Sequence, residues 1–203
     1  MNDVAAILLA AGQSRRMGAF KPLLPFGDKT VVESCLDYLH RAQIKDIIVV
    51  LGHRANEIRE RLENETLAIN PDPNSEMGTS IAVGIRALPE TTRAVVIALV
   101  DHPAVPANIV STLIEEWQNS DAKIIIPTWQ ERGGHPVLID LTLKNELASL
   151  DQTPGGLRSL FQKHRADIKR LPVNSPFVAR DMDTWDDYVA LHEEACGTPP
   201  PSV

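Results

Sequence analysis

The feature that most constrains the fold is an alternation of short apolar runs with helical patterns, which begins at Val4 and continues past Gln118. The run Ala94–Val100 is the most apolar of all, as expected for a strand buried on both faces. This alternation predicts an α/β fold with three αβα layers and a mostly parallel, Rossmann-like sheet. The predicted strands are Val4–Ala11, Asp46–Gly52, Leu67–Asn70, Ala94–Val100, Lys123–Pro127, Pro136–Asp140 and Asp167–Val173, and the predicted helices are Val31–Ala42, His53–Glu63, Thr79–Leu88, Asn108–Gln118, Thr142–Ser149, Gly156–His164 and Thr184–Glu194.

Length and composition favour one domain with one core. The 203 residues are 43% hydrophobic, which predicts a single domain over residues 1–195 and a disordered tail over 196–203. A net charge of −7 argues against nucleic acid as a partner, because that needs a basic surface. Cys35 and Cys196 give no disulfide framework, and the start lacks the basic segment of a signal peptide. We therefore expect a cytoplasmic protein that does not bind membranes.

The segment from Leu9 to Lys21, after the first strand, is the clearest candidate for a ligand site, since open α/β sheets bind ligands beyond the carboxyl ends of their strands. Its small residues Ala10, Ala11 and Gly12 allow close approach to the backbone. No acid occurs from Val4 to Gly27, although the chain has 27 acids, and the segment carries Arg15, Arg16 and Lys21. Backbone N–H groups with Arg and Lys suit a polyphosphate. The spacing matches neither a P-loop nor a dinucleotide fingerprint, and a solvated basic turn is the simpler alternative.

Two carboxylates follow extended segments in positions that suit a metal ion. Asp101 comes directly after Ala94–Val100, at the carboxyl end of a predicted central strand. Asp181 and Asp183 alternate on one face of an extended segment. One or two carboxylates with substrate phosphates form the usual Mg²⁺ site, so Asp101 and Asp183 are candidate ligands, with Asp181 as an open alternative. The simpler interpretation is that Asp101 stabilises a turn and Asp183 caps the last helix.

Three further segments offer groups to a ligand. Gly78 and Ser80 lie where a helix is predicted to begin, and a helix N-terminus suits a base, ribose or phosphate. His135 precedes a predicted strand, and Arg158 follows two glycines in the loop 153–158. A plain helix cap, a locally satisfied histidine and an ordinary loop are the respective alternatives. The other histidines, His102 among them, are interpreted as surface or loop residues.

Together these segments resemble the MobA-like nucleotidyltransferases, and among them the molybdenum cofactor cytidylyltransferases. The first block is highly specific, and the others are individually weak but occur in order over nearly the whole domain. The matching segments are LAAGQSRRMGAFKPLLPFGDKTVVE (Leu9–Glu33), NPDPNSEMGTSIAVGIRAL (Asn70–Leu88), LVDHP (Leu99–Pro103), GGHPVLI (Gly133–Ile139) and DMDTWDDY (Asp181–Tyr188).

The resemblance implies a fold of the nucleotide-diphospho-sugar transferase type and a role for each motif. Arg16, Lys21 and Asp101 would be catalytic, and Asp101 with Asp183 would bind Mg²⁺. His135 and Arg158 would bind the acceptor, a pterin phosphate. The nucleotide would be held by Leu9, Ala10, Ala11, Gly12, Arg16, Lys21, Gly78 and Ser80.

The activity implied is transfer of CMP from CTP to the molybdenum cofactor or molybdopterin, with release of pyrophosphate and a molybdoenzyme as a possible partner. The preference for CTP depends on the segment Pro22–Pro25. Pro154 and His102 depart from the family pattern on the acceptor side. The alternatives are a related transferase that uses GTP, ATP or UTP with an acceptor such as a sugar phosphate, a non-catalytic nucleotide-binding module, and an oxidoreductase that uses a dinucleotide.

Overall fold

The computed structural model describes residues 3–62, 64–72 and 74–201, and within them the predicted alternation of strands and helices is present. The strands are β1 (Val4–Ala10), β2 (Pro25–Phe26), β3 (Lys29–Thr30), β4 (Ile47–Leu51), β5 (Thr66–Ile69), β6 (Ala94–Leu99), β7 (Ile124–Trp129), β8 (Arg132–Gly133), β9 (Val137–Asp140) and β10 (Ile168–Pro172). The α-helices are α1 (Val31–Arg41), α2 (Ala55–Arg59), α3 (Met77–Arg86), α4 (Ala107–Gln118), α5 (Lys144–Leu147), α6 (Gly156–Lys163) and α7 (Trp185–Cys196).

Eight of the strands form one mixed sheet in the order β10-β7-β9-β6-β1-β4-β5, with β8 paired to β7. Parallel pairs join β1 to β4 and β6, β4 to β5, and β7 to β10. Strand β9 runs antiparallel to both of its neighbours, β6 and β7. The predicted three-layer fold with a mostly parallel sheet is confirmed. Strands β2 and β3 form a separate hairpin that the alternation did not predict.

Strand β1 lies near the centre of the sheet and is buried along its whole length. Its alternate side chains enter two apolar clusters, with Leu8 in the cluster that contains residues of α1 and α4, and Ile7 in the cluster that contains residues of α3 and α6. Gly84 allows α3 to pack closely, because a Cβ there would lie 2.7 Å from Cγ2 of Ile7. Both faces of β1 are therefore covered by helices, which leaves the strand ends for a ligand.

Two predicted helices differ from those observed. The helix predicted over His53–Glu63 is limited to α2, because Arg54 has a left-handed backbone (φ 51°) and cannot extend the helix backward. Glu63 itself lies outside the described residues. The helix predicted over Thr142–Ser149 is divided into the 3₁₀ helix Leu141–Leu143 and the short α5. Asp140 caps the first of these by accepting a hydrogen bond from the backbone N–H of Thr142.

The predicted tail over 196–203 begins at the last residue of helix α7. Helix α7 includes Cys196, and Gly197 ends it with a left-handed backbone (φ 74°). The carbonyl of Thr198 accepts a hydrogen bond from Nδ1 of the buried His192 (2.7 Å), and Nε2 of His192 accepts one from the N–H of Gly27. Cys196 thus lies in α7, the disorder of the tail stays a prediction, and Ser202 and Val203 lie outside the described residues. Within the described ranges, no helix has the length and hydropathy needed to cross a membrane.

Candidate active site

A cavity of about 340 Å³ opens at the carboxyl ends of β1 and β6. The chain passes from β1 to β4 and β5 on one side and then to β6 on the other, so the cavity lies where the strand order reverses. Three segments form most of its wall: the connection that follows β1, the loop that precedes α3, and the residues around the end of β6. Its lining residues are Leu9, Ala11, Gly12, Ser14, Arg15, Arg16, Lys21, Pro22, Asn70, Asp72, Ser75, Met77, Ser80, Leu99, Val100, Asp101 and Asp183.

The connection after β1 is shaped by Ser14. Its backbone is left-handed (φ 52°), and its carbonyl accepts a hydrogen bond from the N–H of Met17 at 3.1 Å. Its Oγ accepts a second hydrogen bond from the N–H of Lys21 at 3.2 Å, where the 3₁₀ helix Lys21–Leu23 begins. These two contacts turn the chain so that the Lys21 side chain is only 8% exposed. The alternative of a solvated basic turn therefore does not describe Lys21, whose side chain is buried.

Lys21 lies between two carboxylates at the base of the cavity. Its Nζ is 3.4 Å from Oδ1 of Asp183 and 3.7 Å from Oδ2 of Asp101. Arg16, whose side chain is 73% exposed, approaches the same Asp183 with Nη2 at 2.8 Å from Oδ2. Two cations and two carboxylates therefore meet in one place, and the candidate residues Arg16, Lys21, Asp101 and Asp183 are brought together.

Asp101 has an oxygen that fits a metal ligand. Its Oδ1 is buried and has no hydrogen-bond partner, and a buried carboxylate oxygen without a partner is unfavourable unless a ligand satisfies it. Within the described ranges, no group of three or more His, Cys, Asp or Glu side chains is arranged to hold a metal. Asp101 and Asp183 could thus supply part of the oxygen ligands of a divalent cation. Phosphate oxygens and water would supply the remaining ligands. Asp181 is exposed and does not line the cavity.

The loop before α3 forms the opposite wall through Asn70, Ser75 and Ser80. The Nδ2 of Asn70 donates to Oγ of Ser75 (2.8 Å) and to Oγ of Ser80 (2.9 Å). Gly78 does not line the cavity; it allows α3 to pack, because a Cβ there would lie 2.7 Å from the carbonyl oxygen of Leu150. At this wall, Ser80 is buried but lines the cavity, and Gly78 has a packing role.

The two predicted acceptor residues are not in this cavity. Arg158 is exposed on α6, and His135 follows Gly134 at a cis peptide bond to Pro136. Burial, together with the neighbouring His102, whose ring centroid lies 5.4 Å away, lowers the pKa of His135 to about 4. The expectation that both residues contact the acceptor stays a prediction.

His102 lies in the loop after β6, as interpreted, but it is not at the surface, because its side chain is only 6% exposed. Its Nδ1 lies 3.4 Å from the carbonyl oxygen of Phe177, and its Nε2 lies 3.7 Å from Oδ1 of Asp101. One feature of the sequence indicates this position, which is that His102 directly follows Asp101. His102 thus lies beside both Asp101 and the ring of His135.

Some cavity residues were not proposed from the sequence. Arg15 was noted only as a cation, yet its Nη2 donates to Oδ1 of Asn74 (2.9 Å) and its Nε to Oε1 of Gln13 (2.8 Å). The contact between Arg15 and Asn74 joins the connection after β1 to the loop before α3. Asn70 could not be identified from sequence beyond its place at the start of a polar loop. Its position in the cavity wall depends on its hydrogen bonds to Ser75 and Ser80.

A Rossmann-like sheet with cations and carboxylates at the switch point defines an α/β protein that binds phosphorylated nucleotides. The chain belongs to the family described as the MobA-like NTP transferase domain, whose match covers residues 6–168. It is therefore a nucleotidyltransferase of the MobA and cytidylyltransferase type.

Solved structures share this fold, and the curated relatives carry names for different activities. The chain is 26% identical to the molybdenum cofactor cytidylyltransferase of Escherichia coli K12, over 95% of this chain and 97% of that protein. It is 27% identical to the nicotine blue oxidoreductase of Paenarthrobacter nicotinovorans, over 93% and 96%. The crystal structure of Rv0371c from Mycobacterium tuberculosis H37Rv superposes with a TM-score of 0.84 at 29% identity, over 94% and 97% of the two chains. A second structure of Rv0371c, in complex with manganese, has a TM-score of 0.80 at 27% identity, with the same coverage.

Proposed function

We propose that this protein transfers CMP from CTP to a phosphate acceptor, the molybdenum cofactor or molybdopterin, and releases pyrophosphate. The observation that carries the proposal is the position of Lys21, a buried ammonium within 3.7 Å of Asp101 and 3.4 Å of Asp183 at the base of the cavity. A cation beside two converging carboxylates suits a triphosphate that arrives with a divalent metal ion.

The backbone from Leu9 to Gly12 is suited to the base and ribose. Leu9, Ala11 and Gly12 line the cavity, and no atom lies within 4 Å of the place where a Cβ on Gly12 would be. A flat ring can therefore approach the chain there. Ala10 belongs to the same proposal although its side chain lies in the core.

Arg16 and Lys21 would stabilise the charge of the triphosphate. An oxygen of the acceptor phosphate attacks the α-phosphorus, a new P–O bond forms, and the bond to the β-phosphate oxygen breaks to release pyrophosphate. The acceptor phosphate is already ionised, so no general base is required. Lys21 would bind the oxygens on which charge accumulates, and the exposed Arg16 would follow the departing pyrophosphate.

Asp101 and Asp183 would hold Mg²⁺. When bound, the ion supplies positive charge that offsets the charge of the phosphates. The Oδ1 of Asp101, which accepts no hydrogen bond in the structure, supports this assignment, as does the manganese bound in a crystal structure of Rv0371c. The choice of Mg²⁺ is part of the proposal.

The test is pyrophosphate release by the full chain with Mg²⁺, each of CTP, GTP, ATP and UTP, and either molybdopterin or a sugar phosphate. We expect release only with CTP and molybdopterin. Release with another nucleotide or with the sugar phosphate would identify a related transferase. Nucleotide binding without release for any pair would identify a non-catalytic module and contradict the proposal.

A redox reaction is the second candidate, because the relative from Paenarthrobacter nicotinovorans is named an oxidoreductase. The segment after β1 lacks the G-x-G-x-x-G spacing that binds a dinucleotide. A titration with NADH and NADPH, followed by nicotinamide fluorescence, separates the two candidates. Binding of either dinucleotide, with no pyrophosphate released from any triphosphate, would favour the redox reaction.

A further inference from the structure

Asp183 reaches the cavity on a segment that lies outside the sheet. The segment consists of the 3₁₀ helix Pro176–Ala179 and the irregular residues 180–183, and α7 begins after Thr184. Asp101, by contrast, closely follows the central strand β6. The sheet therefore positions Asp101, whereas the distance from Asp101 to Asp183 depends on the contacts that the segment before α7 makes.

Backbone contacts hold this segment near Asp101. The N–H of Met182 donates to the carbonyl of Asp101 at 3.2 Å, and the N–H of His135 donates to the carbonyl of Val178 at 2.8 Å. The 3₁₀ helix also packs directly on the loop before β9, because a Cβ on Gly134 would lie 2.0 Å from the carbonyl oxygen of Val178. The segment is thus restrained on both sides of the residues that lead to Asp183.

His102 adds a side-chain contact to the same segment. Its side chain is buried, and its Nδ1 forms a hydrogen bond with the carbonyl oxygen of Phe177 at 3.4 Å. A carbonyl oxygen only accepts, so Nδ1 must carry a proton, and a ring turned over would place a carbon there instead. The Nε2 atom then lies on the side of Asp101, 3.7 Å from its Oδ1. The imidazole therefore lies between the carboxylate of Asp101 and the segment that carries Asp183.

We infer that His102 is a positioning residue that sets the distance between Asp101 and Asp183 by holding the segment before Asp183 through the carbonyl of Phe177. The inference rests on the proposed function, because it concerns the two carboxylates assigned there to the divalent metal ion. His102 is not itself a metal ligand in this arrangement. Removing a group that orients metal ligands typically weakens metal binding by about 10–100-fold.

Three substitutions of His102 separate the roles of its two ring nitrogens. The amide nitrogen of an Asn side chain comes close to the position of Nδ1, and that of Gln comes close to the position of Nε2. We therefore expect His102→Asn to keep a donor for the carbonyl of Phe177 and His102→Gln to lose it. His102→Leu removes both nitrogens and leaves an apolar side chain.

The matched control is His192→Leu. His192 is only 2% exposed, and its Nδ1 donates to the carbonyl of Thr198 at 2.7 Å, outside the cavity. The control thus removes the same kind of hydrogen bond from another buried histidine. It reports what such a loss does to stability alone.

The experiment is titration of the full chain with Mn²⁺ in the absence of nucleotide, with free Mn²⁺ measured by its EPR signal, together with thermal unfolding of every variant. We expect His102→Leu and His102→Gln to raise the dissociation constant of Mn²⁺ by at least about tenfold, and His102→Asn to stay within about threefold of the unaltered protein. His192→Leu should lower Tm and leave the affinity for Mn²⁺ unchanged.

The inference is overturned if His102→Leu and His102→Gln bind Mn²⁺ as tightly as the unaltered protein, or if His192→Leu weakens binding as much as His102→Leu. Retention of affinity in His102→Gln with loss in His102→Asn would also overturn it, since Nε2 would then be the group that matters. If His102→Leu does not unfold cooperatively, the other two variants decide, and equal affinities reject the inference.

The same measurements separate the inference from the proposed function. Mn²⁺ affinities in the expected order, without pyrophosphate release from any nucleotide, would reject the proposed transfer and leave the inference standing. Pyrophosphate release with unchanged Mn²⁺ affinity in all variants would reject the inference alone. An unaltered protein that binds no Mn²⁺ would reject the metal assignment and the inference together.

Discussion

Lys21 and Asp183 are separated by 162 positions in the chain, yet Nζ of Lys21 lies 3.4 Å from Oδ1 of Asp183. The contact joins the end of the connection after β1 to the segment that precedes α7. Asp101, at the end of β6, is within 3.7 Å of the same ammonium, and its carbonyl accepts a hydrogen bond from the N–H of Met182. The last segment of the domain thus completes a site that begins with the first strand.

We expect Lys21→Ala to lower kcat/KM for nucleotidyl transfer by about 10²–10³-fold, because a preorganised charge in a partly buried site stabilises developing negative charge strongly. The loss also leaves Asp101 and Asp183 without their shared buried cation, so affinity for CTP should fall. Steady-state kinetics and calorimetry measure both effects. Lys45→Ala, at an exposed lysine outside the cavity, is the control and should behave like the unaltered protein. Full activity in Lys21→Ala would exclude the proposed role of Lys21.

Asp183→Asn and Asp181→Asn form a matched pair, because both residues lie before α7 but only Asp183 lines the cavity. We expect Asp183→Asn to raise the Mg²⁺ concentration needed for half-maximal activity by at least about tenfold, since the site loses one of its two carboxylates. Asp181→Asn should leave the metal dependence unchanged. A titration of activity against Mg²⁺ measures both, and equal behaviour of the two variants would remove Asp183 from the metal site.

Gly12 and Gly52 should respond differently to a single added methyl group. A Cβ on Gly52 would lie 2.8 Å from the carbonyl oxygen of Ala11 and 2.9 Å from its Cβ, so Gly52→Ala should destabilise the fold by about 1–3 kcal/mol and displace the loop. A Cβ on Gly12 would meet nothing within 4 Å, so Gly12→Ala should keep its stability and weaken only nucleotide binding. Denaturant unfolding and CTP titration distinguish the two effects. A strongly destabilised Gly12→Ala would contradict the proposed open surface.

The buried His135 should make the fold less stable in acid. Its pKa in the folded protein is about 4, against an ordinary value of 6.5, so the unfolded chain binds a proton more readily between these values. The contribution of neutral His135 to the free energy of unfolding is complete above about pH 6.5. It is lost as the pH falls toward 4, and the total loss is about 3 kcal/mol. We expect unfolding by denaturant to show a smaller loss of stability between about pH 7 and pH 4.5 in His135→Gln than in the unaltered protein. Equal losses in the two proteins would show that His135 is not held neutral by burial.

Several parts of the fold could be predicted from sequence because their signal is local. The apolar runs predicted β1 and β6 to within one residue, since strands buried on both faces are apolar throughout. The antiparallel direction of β9 and the shortness of α2 were not predictable in this way. The direction of β9 depends on its neighbours β6 and β7, and α2 is limited by the left-handed backbone of Arg54.

The sequence by itself determined the class of fold, the loop that lines the cavity and the residues Arg16, Lys21, Asp101 and Asp183, because strand patterning, small residues and isolated charges are properties of neighbouring positions. Only the tertiary structure decided that Lys21 is buried between Asp101 and Asp183, that Asp181 lies outside the cavity, and that the Asn70 amide faces Ser80. These relations depend on distances between segments far apart in the chain and on which hydrogen-bonding groups are already satisfied, and packing alone fixes both.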